Sequence, residues 1–138
     1  MKKRMLAVAA AGALWIAAAA MAESKDVVVS LSADQEVPAV DSKAKGTGTI
    51  KITDDGLVSG SIKTTGITGV AAHIHEAPAG KNGPPVITLE KKGDSEWAVP
   101  AGAKLTDAQL ASFKAGNLYV NVHSAEHKGG EIRTQLKP

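Results

Sequence analysis

The sequence predicts an all-β domain: an antiparallel, Greek-key-like sandwich or barrel of about seven to eight strands with one short helix. Three observations predict it. Apolar residues recur with period two along most of the chain, the period of a strand with one face turned inward. Glycine, proline, aspartate and asparagine separate these runs at short, regular spacing, as in sandwiches and barrels. Only one segment carries the start and stop signals of a helix.

The elements follow in chain order. Residues Met1 to Ala22 open with Lys2, Lys3 and Arg4, continue through an apolar stretch from Met5 to Met21, and close on Ala20-Met21-Ala22. That is the pattern of a signal peptide cleaved after Ala22. Its apolar part is short and alanine-rich for a membrane span, so the expected product is a soluble periplasmic or secreted chain, residues 23–138, forming a single domain. In Asp26 to Ala33, Val27, Val29 and Leu31 share one face; Gly46 to Ile52 and Leu57 to Thr65 repeat the alternation with Ile50, Ile52, Val58 and Ile62. Val70 to His75 sets Val70, Ala72 and Ile74 against Ala71, His73 and His75. The stretch from Glu76 to Pro85, rich in Gly and Pro, reads as irregular loop. Strands resume at Val86 to Glu90 and Glu96 to Val99.

The helix spans Thr106 to Ala115. Thr106 and Gln109 form a capping box, Leu105 and Leu110 stand at the hydrophobic-staple positions, and Gly116 is placed to end the helix in the left-handed conformation. A strand from Asn117 to Ser124 then places Leu118, Val120 and Val122 opposite Tyr119, Asn121 and His123. The last strand, Glu131 to Leu136, opposes Ile132, Thr134 and Leu136 to Glu131, Arg133 and Gln135, which suggests a Glu131–Arg133 ion pair.

Composition narrows the function. Three of the 16 basic residues lie in the leader and all 14 acidic ones after it, so 13 positive charges face 14 negative ones in the mature chain, net −1. Such a chain is no general polyanion binder, and nucleic acid is excluded as a partner. Without cysteine there is no disulfide, thiolate metal site or Cys nucleophile. No nucleophile elbow marks a hydrolase, no glycine-rich turn opens a helix to hold phosphate, and Trp97, Phe113 and Tyr119 are too few for a stacking platform.

The histidines carry the chemical signal. His73 and His75 share a strand face, with Cβ atoms roughly 6.5 Å apart at about 3.3 Å per residue. From there two imidazoles converge on one ion, and a third, His123, is expected on a neighbouring strand. A three-nitrogen set without thiolate suits copper(II), zinc or nickel. His127, in a loop beside Lys128 and two glycines, is expected to be solvated, and Glu76 offers either an acceptor for an imidazole N–H or a plain surface carboxylate.

Several motifs in order resemble the CHRD domain first named from chordin: Leu31 to Pro38 (LSADQEVP), Gly46-Thr47-Gly48, Ala72 to His75 with Asn82-Gly83-Pro84, Leu118 to His123, and Gly130 to Arg133. The resemblance runs from about Val27 to Leu136 and implies an all-β domain found in bacterial exported proteins. A second, local resemblance is to the copper half of copper/zinc superoxide dismutase. It implies copper held by His73, His75 and His123, with Arg133 as an anion guide, while a bridging histidine and the zinc-ligand loop have no counterpart here. Copper buffering or transfer is the function this implies; a dismutase-like enzyme and a metal-free interaction module are the alternatives.

Overall fold

The computed structural model describes Gly12 and residues 23–138, so the expected leader lies, save for Gly12, outside the described residues. Among the described residues nine strands form: β1 (Ser24–Ser32), β2 (Lys45–Thr53), β3 (Val58–Thr65), β4 (Gly69–Glu76), β5 (Pro85–Thr88), β6 (Glu90–Lys91), β7 (Glu96–Ala98), β8 (Leu118–Ser124) and β9 (Ile132–Leu136). A single turn of 3-10 helix (Ala33–Gln35) follows β1, and the helix α1 (Asp107–Lys114) precedes β8. All eight runs expected to be strands are strands; the ninth arises because the run from Val86 to Glu90 divides at Leu89 into β5 and β6.

That division closes the sheet. Its order is β5-β4-β8-β9-β1-β2-β3-β7-β6, with every pairing antiparallel. β5 pairs with β4 at one end and β6 with β7 at the other, yet only Leu89 separates them, and its N–H donates to Ala72 O of β4 at 2.9 Å. Lys91 Nζ adds a bond to Gly69 O at 3.0 Å. One chain segment thus joins both ends into a barrel-like sheet and removes the free edges on which another strand would grow.

The inner rows are those expected from the alternation. Leu31, Ile50, Ile62, Ile74, Leu118, Val120 and Ile132 have no exposed surface. Truncating any one of these large aliphatic side chains to Ala costs about 2–5 kcal/mol through lost transfer energy and the cavity left behind. Val70 is the correction. It was expected in the inner row with Ala72 and Ile74 but is 57% exposed, because a bulge pairs Gly69 with Ser124 and Ala71 with His123 and leaves Val70 without a partner.

The helix forms as its signals require. Thr106 Oγ1 accepts from Gln109 N at 3.2 Å while Gln109 Oε1 accepts from Thr106 N at 2.9 Å, so both halves of the capping box are made. Leu110 and Phe113, three residues apart on one face, are buried along with the staple residue Leu105, and Gly116 takes the positive φ of 79° that ends the helix.

Candidate metal centre

The outward face of β4 and β8 holds the three histidines. Period-two alternation sends His73 and His75 to the same side, and antiparallel pairing sets Asn121 opposite His73, Tyr119 opposite His75 and His123 opposite Ala71. The imidazoles gather: ring centroids are 4.9 Å apart for His73 and His123, 5.4 Å for His73 and His75, and 5.8 Å for His75 and His123. One nitrogen from each ring lies within 4.8 Å of the others. Three nitrogens about 2 Å from a tetrahedral ion stand about 3.3 Å apart, so small side-chain rotations bring this set to ligating distance.

Backbone carbonyls decide which nitrogens are available. His75 Nδ1 lies 2.9 Å from Gly83 O and His123 Nδ1 lies 2.8 Å from Lys128 O; a carbonyl only accepts, so both Nδ1 atoms carry the proton. Each Nε2 is therefore left with its lone pair. His123 Nε2 accepts from His73 Nδ1 at 3.0 Å, whereas His75 Nε2 is buried with no hydrogen-bond partner. A lone pair kept from water and given no donor is costly in an uncharged site and is what a cation would use. Burial holds all three imidazoles below the usual histidine pKa; at His73 the neighbouring rings add to it, while at His75 and His123 the carbonyl bonds oppose it. The cluster is neutral at pH 7, as ligation requires.

A second layer holds this arrangement in place. Tyr119 stacks on His75, ring centroids 4.8 Å apart and planes within 2°, and the Arg133 guanidinium carbon lies 3.4 Å from the Tyr119 ring centroid. Arg133 is 2% exposed and spends its fork on the loop between β4 and β5, donating from Nη1 to Asn82 Oδ1 at 2.9 Å and from Nη2 to Lys81 O. Tyr119 Oη accepts from Gly83 N at 3.1 Å. Asn82 Nδ2 reaches Val37 O at 2.8 Å, and Gln135 Nε2 reaches Ala77 O at 2.9 Å. Gly83 is the only residue type that fits its place, since a Cβ there would lie 1.8 Å from Glu76 O.

Three expectations change. Arg133 makes no pair with Glu131, whose carboxylate instead accepts from Ser42 Oγ and Ser124 Oγ, each at 2.8 Å; the residues are two apart, but loop residues 81 and 82 reach the guanidinium first. Of the two readings of Glu76, acceptor or plain carboxylate, the first does not hold for His75, because Gly83 O takes that proton. The loop from Glu76 to Pro85, expected to carry irregular backbone and little else, covers the site. His127 is half-buried rather than solvated and clusters with Glu126 and Glu131 rather than with the three histidines, although it lines the same cavity as His75 and His123.

Two residues escaped the sequence reading altogether. Asn121 is buried between the histidines of its own face, with Oδ1 unpartnered and Nδ2 3.4 Å from Gly129 O. Glu36 is 6% exposed, and its Oε2 also lacks a partner. Burial pushes the Glu36 carboxyl up to about 7, against the pull of Arg133 and Asn121. A carboxylate in the segment Gln35-Glu36-Val37-Pro38 looks like ordinary turn polarity, and no periodicity marks it as buried.

The CHRD domain family matches residues 27–136, from within β1 to the end of β9, and the chain belongs to this family. No curated protein and no solved structure matches it.

Proposed function

We propose that this CHRD-domain protein is exported and binds one copper ion through His73, His75 and His123, acting as a copper buffer or carrier. The observation that carries the reading is the buried, unpartnered Nε2 of His75 in a cluster where one nitrogen of each of the three imidazoles lies within 4.8 Å of the others. Gly83 O and Lys128 O fix two of the rings in the tautomer that leaves Nε2 free, the outer support that ligating histidines commonly have. Among divalent ions an all-imidazole set favours copper over zinc or nickel. Once bound, copper would supply a redox-active Lewis acid; the chain's own part is to orient the imidazoles and to roof them with residues 81–83.

Buffering or transfer is favoured over turnover by the state of Arg133. Its nitrogens are committed to Lys81 and Asn82 and its face to Tyr119, so among the described residues no free guanidinium faces the histidines to draw in an anion.

Thermal melting of the purified protein with copper(II), with zinc and with chelator tests the proposal. Copper at a hundredfold excess over its dissociation constant adds about 2.7 kcal/mol, a rise in Tm of several degrees that exceeds the rise with zinc. Superimposable melts would favour the metal-free interaction module. Export has its own test: the intact mass of protein recovered from periplasm or medium should correspond to a chain beginning at Glu23, and a retained 1–22 segment would contradict it.

A further inference from the structure

A cavity of about 720 Å³ opens over the histidine face, a volume typical of small-molecule sites. Val37, Pro38 and Val40 give it an apolar wall; Tyr119, His75 and His123 form its aromatic floor. Glu36 lines it as well, as does Gly130, against which the Glu36 carboxylate is packed: a Cβ on Gly130 would lie 2.2 Å from Glu36 Oε2 and 2.5 Å from Asn121 Nδ2.

Three buried atoms at or behind this cavity lack a hydrogen-bond partner: Glu36 Oε2 and His75 Nε2, whose residues line it, and Asn121 Oδ1 behind the lining. An ion on the histidines would satisfy only His75. The one cation nearby, Arg133, is already committed to Lys81 O, Asn82 Oδ1 and the Tyr119 ring. The raised pKa of Glu36 reports the same deficit, a carboxylate that burial disfavours more than its neighbours compensate. What complements a buried carboxylate beside an apolar wall is a molecule with N–H donors, a positive charge and a hydrocarbon body.

We propose that this cavity binds a small organic ammonium ion, its N–H groups donated to the Glu36 carboxylate and its hydrocarbon part laid on Val37, Pro38 and Val40. An anion of the same size is disfavoured by Glu36, and a neutral alcohol brings no charge to pair with it. The inference goes beyond copper binding and does not need it, since Glu36 is not one of the ligating residues.

Titration of the chelator-treated protein with butylammonium, followed by NMR, tests it, with butanol and butyrate as matched controls. Saturable shifts at Glu36, Asn121 and Gly130 are expected with butylammonium and none with butyrate. E36Q should weaken binding about tenfold or more, the worth of a charge-assisted hydrogen bond. Ala39, exposed on the rim, provides a second variant that spares every buried group: A39W should block the cavity and weaken binding to a similar degree. The two readings are separable because the titration uses copper-free protein, so failure to take up copper would leave the butylammonium shifts intact. Absence of shifts into the tens of millimolar, equal binding of butyrate, or full binding by both variants would overturn the proposal.

Discussion

The two halves of the barrel share one alternating pattern and use it differently. In β1, β2 and β3 the outward residues face solvent: Thr47, Thr49, Lys51, Ser59 and Lys63 lie on an open surface, and both members of the Asp26–Lys51 pair, 3.8 Å apart, are at least half exposed. In β4, β8 and β9 the outward residues are roofed by residues 77–84 and by the 125–130 turn, so that every residue of β8 is buried, Tyr119, Asn121 and His123 included. Outward polar side chains need only water in the first half. In the second they need partners, and the covered face is where imidazoles, a guanidinium and a carboxyl are held in fixed relation, at a desolvation cost that perturbs the pKa values of the three histidines and of Glu36.

The largest effect expected is on ligation. Replacing His75 or His123 by Ala should weaken copper binding by about a hundredfold or more, read by competition with a chelating dye, because each removes one of three ligands. An equal loss from a substitution in β2 would erase the distinction between the halves.

Paired glycine substitutions sharpen it. In Gly48→Ala the new Cβ would lie 2.0 Å from Ser61 O, and in Gly83→Ala 1.8 Å from Glu76 O. Both should destabilise by about 2–4 kcal/mol in denaturant melts, as forced backbone shifts do. Only Gly83→Ala should also weaken copper binding, because Gly83 O orients His75.

Next comes Arg133→Gln. It strips donors from Lys81 O and Asn82 Oδ1, with an expected cost of about 2–3 kcal/mol in stability and about tenfold in copper affinity. A copper affinity unchanged in a folded Arg133→Gln would show that the loop latch and the histidines are independent.

Much of this contrast was legible in the sequence. Leu31, Ile50, Ile74 and Val120 announce their inner rows through period two, Thr106 and Gln109 announce the helix start, and His73 with His75 announces a shared face, because each depends on spacing within one element. The convergence of His123 was expectable only as far as strand pairing could be assumed. The covering of β8 was not legible at all. Whether Arg133 turns to Glu131 or to Asn82, 51 residues away in sequence, depends on where the loop after β4 lies. The burial of Glu36 depends in the same way on Gly130 and Asn121, distant in sequence and adjacent in the fold.

Glu36 gives a smaller, pH-dependent effect. Its carboxyl, raised from 4.5 to about 7, binds more protons folded than unfolded, so it costs stability above pH 7 and the cost fades as pH falls toward 4.5. Glu36→Gln should therefore gain about 1–2 kcal/mol over the parent at pH 8 and nothing at pH 4, by urea melts at the two pH values. The smallest effect belongs to the open half: Lys51→Ala removes an exposed pair worth about 0–1 kcal/mol and leaves copper binding unchanged.

The central claim, that the covered half of the barrel gathers His73, His75 and His123 into one metal site, is tested most directly by calorimetric titration of copper(II) into the parent, His75→Ala and His127→Ala proteins. One copper per chain is expected for the parent and for His127→Ala, whose histidine lies with Glu126 and Glu131 instead, and no stoichiometric break for His75→Ala. A parent titration without a break, or one that His75→Ala reproduces, would contradict the account.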